Sequence, residues 1–119
     1  MRGTLKSRRA FGYIYEHGER AVGKHVVVFA VHDDAVLDES SGAVGFVASR
    51  KVGHSPDRSR AKRVMRAAFA EIRTRHRVRG HLILVARRAM IADRTRSTEL
   101  ASELEQLLTR TGSLKGAEG

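Results

Sequence analysis

The chain has 119 residues, 41% of them hydrophobic, which suits one compact domain with a modest core and excludes wholesale disorder. Cysteine is absent, so disulfides, thiolate metal sites and cysteine nucleophiles are excluded. Twenty-three Lys and Arg against 13 Asp and Glu leave a net charge of +10, a field that draws in polyanions, among which nucleic acid is the commonest.

The first six residues carry charge but no apolar stretch follows, so no secretory signal is expected. No apolar run approaches the roughly 20 residues of a membrane span, and a cytoplasmic protein is expected. Residues 1–119 read as a single domain, with 1–6 and 112–119 frayed. Ser7 can cap a helix to His17 that aligns Ala10, Phe11, Ile14 and Tyr15 on one face, with Gly18 as its stop. Residues 25–31 are β-branched and nearly all apolar, as in a strand covered on both faces. After an acidic loop from His32 to Gly42, residues 43–49 form a second strand, expected to pair antiparallel with the first. A short extra strand is weakly signalled at Ala21–Val22.

The clearest element follows. Ser55 stands as N-cap, Pro56 opens the helix, and Asp57 puts negative charge in its first turn. Ala61, Val64, Met65, Ala68, Phe69 and Ile72 then recur at helical spacing as an apolar stripe. Residues 81–86 form a third strand, and Leu100, Ala101, Leu104, Leu107 and Leu108 line a last helix ending near Gly112. The sum is an α+β fold, an α–β sandwich of order α-β-β-(β)-α-β-α. Its β-α-β crossover should be right-handed by general preference.

Chemistry concentrates on the central helix. Arg50, Lys51, Arg58, Arg60, Lys62, Arg63 and Arg66 face one acid, Asp57. Arg58, Lys62 and Arg66 repeat at i, i+4 and i+8, where like charges repel by a few tenths of a kcal/mol per pair. An anionic partner relieves that repulsion, and guanidinium forks suit phosphate oxygens. Phe11 and Tyr15 share a helix face, and Phe29 lies on the next strand. Such rings serve either as core or as stacking platforms for single-stranded RNA, and spacing alone does not choose. A protein-only nuclease has little support. Asp33, Asp34, Asp38 and Glu39 crowd one loop without a second acidic cluster, and the six histidines form no ligand pair. His25 and His81 fall at strand entrances, and His54 is a candidate to touch phosphate.

Residues 58–69, Arg-Ser-Arg-Ala-Lys-Arg-Val-Met-Arg-Ala-Ala-Phe, resemble the basic helix of the bacterial ribonuclease P protein component. Ser49-Arg50-Lys51-Val52-Gly53 is similar to that family's Ser-Lys-Lys-Val-Gly strand end, and residues 11–18 resemble its first helix. Three motifs in order, spanning about residues 5–110, make the resemblance specific. It implies an α–β sandwich with a left-handed crossover, against the general preference. It also implies an RNA-binding subunit of the ribonuclease P holoenzyme, an endoribonuclease that removes the 5′ leader of precursor tRNA. The chemistry then belongs to a catalytic RNA and its magnesium ions, and the protein has no catalytic residue or metal site. Phe11, Tyr15, Phe29, Ser49, Arg50 and Lys51 match the residues that hold the leader. Arg58, Ser59, Arg60, Lys62, Arg63 and Arg66 match the surface facing the catalytic RNA. Ser59 replaces the usual Asn and loses the amide's two-sided contact, and Ala67 replaces a common Glu. The alternative is a ribosomal or other structural RNA-binding protein of the same shape, with no use for a leader cleft.

Overall fold

The computed structural model describes residues 3–4, 8–32 and 43–114. In chain order these form β1 (Gly3–Thr4), α1 (Arg8–His17), β2 (Glu19–Val22), β3 (Val26–Val31), β4 (Ala43–Val47), α2 (Ser55–Arg75), β5 (His81–Ala86), α3 (Arg88–Ala92) and α4 (Ser97–Arg110). The sheet runs β1-β4-β5-β3-β2, with β5 parallel to β4 and antiparallel to β3. The expected antiparallel pairing of residues 25–31 with 43–49 is therefore wrong, because β5 lies between those strands. The reason lies in composition. In β5, His-Leu-Ile-Leu-Val-Ala, every residue but Val85 is buried, so this strand gains most from the centre, where both edges and both faces are covered. The weakly signalled strand at Ala21–Val22 is real and runs from Glu19.

Strand alternation divides the sheet into two unequal faces. Val26, Val28, Ala30, Val44, Leu82, Leu84 and Ala86 point to one face and pack beneath α2 and α4. The apolar stripe of α2 is buried at Ala61, Met65, Ala68, Phe69 and Ile72, and that of α4 at Leu100, Ala101, Leu104, Leu107 and Leu108. Among the described residues, the other face carries α1 alone. There Ile14 is fully buried on Val31 and Ile83, while Phe11, Phe29, Val47 and Val85 are only half-covered.

Several boundaries differ from expectation. The N-cap of α2 is His54, with Ser55 as the first helical residue and no side-chain cap. Pro56 is tolerated one place further in, because the opening N–H groups have no intrahelical partner. Gly53 sets this start: its φ is +154°, and a Cβ there would meet the Asp57 carboxylate at 2.5 Å. Gly3–Thr4 pairs with β4 as a short edge strand instead of fraying, and a short helix over Arg88–Ala92 had no sequence signal. Beyond Arg110 the chain is also packed. Ser113 and Leu114 are buried, and Leu114 bridges to Val78, so the frayed stretch does not start at 112. Ser7, the expected cap of α1, and the acidic cluster Asp33, Asp34, Asp38 and Glu39 lie outside the described residues.

One polar clip ties the start of β3 to the helices. The ring of His25 meets Glu103 through Nδ1 at 2.7 Å and Asp93 through Nε2 at 2.9 Å. The Glu103 carboxylate also accepts the backbone N–H groups of His25 (2.8 Å) and Val26 (3.2 Å). Burial pulls the His25 pKa down, but hydrogen bonds and charge from Asp93 and Glu103 outweigh it, leaving the pKa above the ordinary 6.5. The hydrogen bond from His25 in turn lowers the pKa of Asp93 from 3.8. The His25 contribution to stability is thus complete below about pH 6.5 and lost as pH rises through the raised folded value. The Asp93 contribution is present above its ordinary pKa and lost as pH falls. Urea midpoints of the wild type should fall between about pH 6 and pH 9, and those of His25→Gln should be nearly flat over that range. Equal slopes would show that the clip carries no proton-linked stability.

Candidate nucleic-acid interface

The incomplete cover of the second face creates a groove beside α1. Ile14 anchors the helix, and the same helical period that buries Ile14 leaves Phe11 half-buried and Tyr15 42% exposed. The Tyr15 ring stands edge-on to Phe29 with centroids 4.9 Å apart, and Phe11 lies 6.4 Å from Tyr15. Partial burial raises the pKa of the Tyr15 hydroxyl, so it stays neutral and able to donate. The structure therefore brings the three expected aromatics together. They are neither all core nor all wet, since one edge of the cluster packs on the sheet and the other opens to solvent.

Ser49, Arg50 and Lys51 follow β4 at one end of this groove and are all exposed. A tight turn holds them: the N–H of Val52 donates to the Ser49 carbonyl (3.0 Å) and that of Gly53 to the Arg50 carbonyl (3.2 Å). The next strand end supplies two cations that the motif reading missed. Arg88 donates from Nε to the Lys51 carbonyl (3.4 Å), and Arg87 from Nη1 to the Gly23 carbonyl (2.6 Å). Paired arginines directly after an apolar strand were the available signal. An open pocket of about 560 Å³ then connects the groove's end to the start of α2, lined by Arg50, Lys51, His54, Ser55, Arg58 and Arg88 among others. Arg58 Nε is buried there with no hydrogen-bond partner among the described residues.

Along α2 the cations divide between two sides. Arg58, Lys62 and Arg66 share one flank by their four-residue spacing, and the exposed Arg73 extends it by two turns. The Arg66 guanidinium lies 5.6 Å from the centre of the Phe46 ring, which fixes that flank over β4. Ser59, Arg60 and Arg63 are also exposed, but Arg60 lies about 160° around the helix from Lys62. Among the described residues, none of these α2 cations, nor Arg50 or Lys51, has a carboxylate within ion-pair distance. Four of the described acids are engaged elsewhere: Asp93 and Glu103 with His25, and Glu71 and Glu105 with Arg75 or His76.

A half-covered aromatic groove joined at one end to an unneutralised cationic helix defines an RNA-binding protein, with rings for unpaired bases and guanidinium groups for phosphates. The family model described as Ribonuclease P matches residues 2–112, and the chain belongs to that family. It is accordingly a protein subunit of ribonuclease P, the holoenzyme of tRNA processing. The ribonuclease P protein component of Symbiobacterium thermophilum is 34% identical over 114 residues, covering 93% of this chain and 92% of that protein. The component from Nitratiruptor sp. is 40% identical over 68 residues, and that match spans 57% of each chain. In fold, the Staphylococcus aureus RNase P protein aligns with a TM-score of 0.77 at 21% identity, covering 97% of this chain and all of that one.

Two substitution sets separate site from core. Ile14→Ala should cost about 2–5 kcal/mol in urea unfolding, and Tyr15→Ala about 1–2 kcal/mol, since much of that ring is already in water. The Lys62→Gln/Arg66→Gln pair should leave stability unchanged or raise it by a few tenths of a kcal/mol, by relieving like-charge repulsion. A loss above about 2 kcal/mol in the pair would place those cations in the fold's own framework.

Proposed function

We propose that this chain holds the single-stranded 5′ leader of precursor tRNA in the α1 groove while the cationic flank of α2 docks on the catalytic RNA of ribonuclease P. Phe11, Tyr15 and Phe29 offer ring surfaces to unpaired bases, with Ser49, Arg50 and Lys51 receiving the adjoining backbone. Arg58, Lys62 and Arg66 neutralise phosphates of the catalytic RNA from one flank, and Ser59, Arg60 and Arg63 extend the contact around the helix. The observation behind it is that, among the described residues, Arg58, Arg60, Lys62, Arg63 and Arg66 have no carboxylate at ion-pair distance, while Asp93, Glu103, Glu71 and Glu105 pair elsewhere.

The physical gain is proximity. One rigid body that grips both RNAs lowers the entropy cost of bringing the scissile bond to the catalytic RNA. Its net charge of +10 also offsets repulsion between two polyanions, so its help is greatest when magnesium is scarce. Magnesium takes oxygen ligands at close to octahedral geometry. Among the described residues no group of three His, Asp or Glu is placed to hold a metal, and the paired carboxylates offer no such cage. On this reading magnesium is bound mainly by the RNA. No helix among the described residues is long and apolar enough to cross a membrane, and we place the protein in the cytoplasm with its RNA partners.

Purified chain, catalytic RNA and precursor tRNA test this together. The mixture should cleave the precursor at low magnesium much faster than the RNA alone, and the protein alone should not cleave. Cleavage by the protein alone, or no stimulation of the RNA, would contradict the proposal. Tyr15→Ala should weaken binding of long-leader precursors by about 1–3 kcal/mol, and that of mature tRNA far less. Lys62→Glu with Arg66→Glu should reduce the log–log salt slope of RNA binding by about 0.7–0.9 per lost phosphate contact.

A further inference from the structure

The groove continues past Tyr15. Strand register aligns Val47, Val85, Val27 and Val22 in one row across β4, β5, β3 and β2, on the face that α1 only partly covers. Val47, Val85 and Val27 are half-buried. Val22, on the edge strand, is 44% exposed and is with Tyr15 one of two large hydrophobics exposed among the described residues. One row back, the register sets Arg20 opposite Phe29 and so on the same face. Arg20 is exposed and has no ion-pair partner among the described residues. On the other side of the row, Arg87 comes two residues after Val85 and reaches the turn beside β2 through its bond to the Gly23 carbonyl.

An exposed valine on an edge strand is explained by β propensity alone. Propensity does not explain why four valines align across four strands, with a cation on each side of the row's outer end. Edge strands are usually blunted with charge, and here charge flanks an apolar step instead. A flat apolar surface between two guanidinium groups suits a nucleotide, whose base has an apolar face and whose phosphates are anionic.

We infer that Val22 and Arg20 form an outer subsite for single-stranded RNA, one step beyond the Tyr15–Phe29 rings. A base lies on the Val22 and Val27 methyl groups, and Arg20 takes the neighbouring phosphate. The occupant is a ribonucleotide strand already seated on Tyr15, so the subsite rests on the leader reading and fills only when the leader is long enough. Glu19 does not oppose it, because its partner across β3 is Ala30, which packs in the core on the opposite face.

The test uses the holoenzyme reconstituted with catalytic RNA and precursors whose leaders lengthen one nucleotide at a time. Val22→Ser and Arg20→Gln change exposed side chains. Both should bind the shortest leaders as the wild type does, then lose about three- to tenfold in affinity beyond a threshold length. For Arg20→Gln the salt slope should fall by about 0.7, and only with leaders past that threshold. Tyr15→Ala should show its loss at a shorter length. Wild-type binding of every leader by the Val22 and Arg20 variants, with Tyr15→Ala impaired, overturns the outer subsite and spares the groove. Wild-type binding by Tyr15→Ala as well overturns both. An equal loss at every length, mature tRNA included, reduces Arg20 to general electrostatics and also overturns the subsite.

Discussion

A five-stranded sheet has two apolar faces, and the long helices among the described residues seal only one of them. The face beneath α2 and α4 closes into a continuous core. The face beneath α1 gains one full anchor, Ile14, and leaves a margin of rings and valines partly in water. Apolar surface left exposed in a rimmed patch costs solubility unless something uses it. Here the rim is cationic, so the surface resists self-association and attracts an anionic polymer with apolar faces. The groove is therefore a consequence of incomplete layering and not an added feature.

Charge follows the same division. Most of the acids that form ion pairs are spent on histidines and on one arginine near the end of α2, where they hold α4 against the start of β3 and the end of α2. The arginines and lysines at the sheet's end and along the flank of α2 receive none of them. A scaffold selected for stability alone would intersperse acids among these cations. Leaving them unmatched lowers intrinsic stability slightly and keeps the field directed outward. The end of β4, the start of α2 and the end of β5 meet at one pocket, so the groove on one face and the helix on the other share a single electrostatic surface.

Much of this was legible in sequence because it depends on local period. The stripe from Ala61 to Ile72 and the strand at 81–86 appear with nearly the expected residues. Phe11, Tyr15 and Phe29 were recognisable as a cluster, although which edge was wet needed the sheet beneath them. What sequence could not supply was pairing. Nothing in residues 25–31 or 43–49 states that β5 will come between them, since that depends on a strand far downstream, His81–Ala86, being the most completely buried of the set. The same gap hid the row from Val47 to Val22, which exists only through register across four strands. It also hid Arg87 and Arg88, whose carbonyl partners lie 64 and 37 residues away. Gly3–Thr4 and Leu114 read as frayed for a related reason: each is held by a long-range pairing.

On the proposed function, protein finishes one face of the sheet and RNA the other. Methyl NMR spectra of the chain, recorded while a single-stranded RNA leader is titrated in, test it directly. Shifts are expected for the Val22, Val27, Val47 and Val85 methyls, with those of Leu100, Leu104 and Leu107 unmoved. Shifts centred on the leucines of α4, or none at the four valines at saturating RNA, would contradict it.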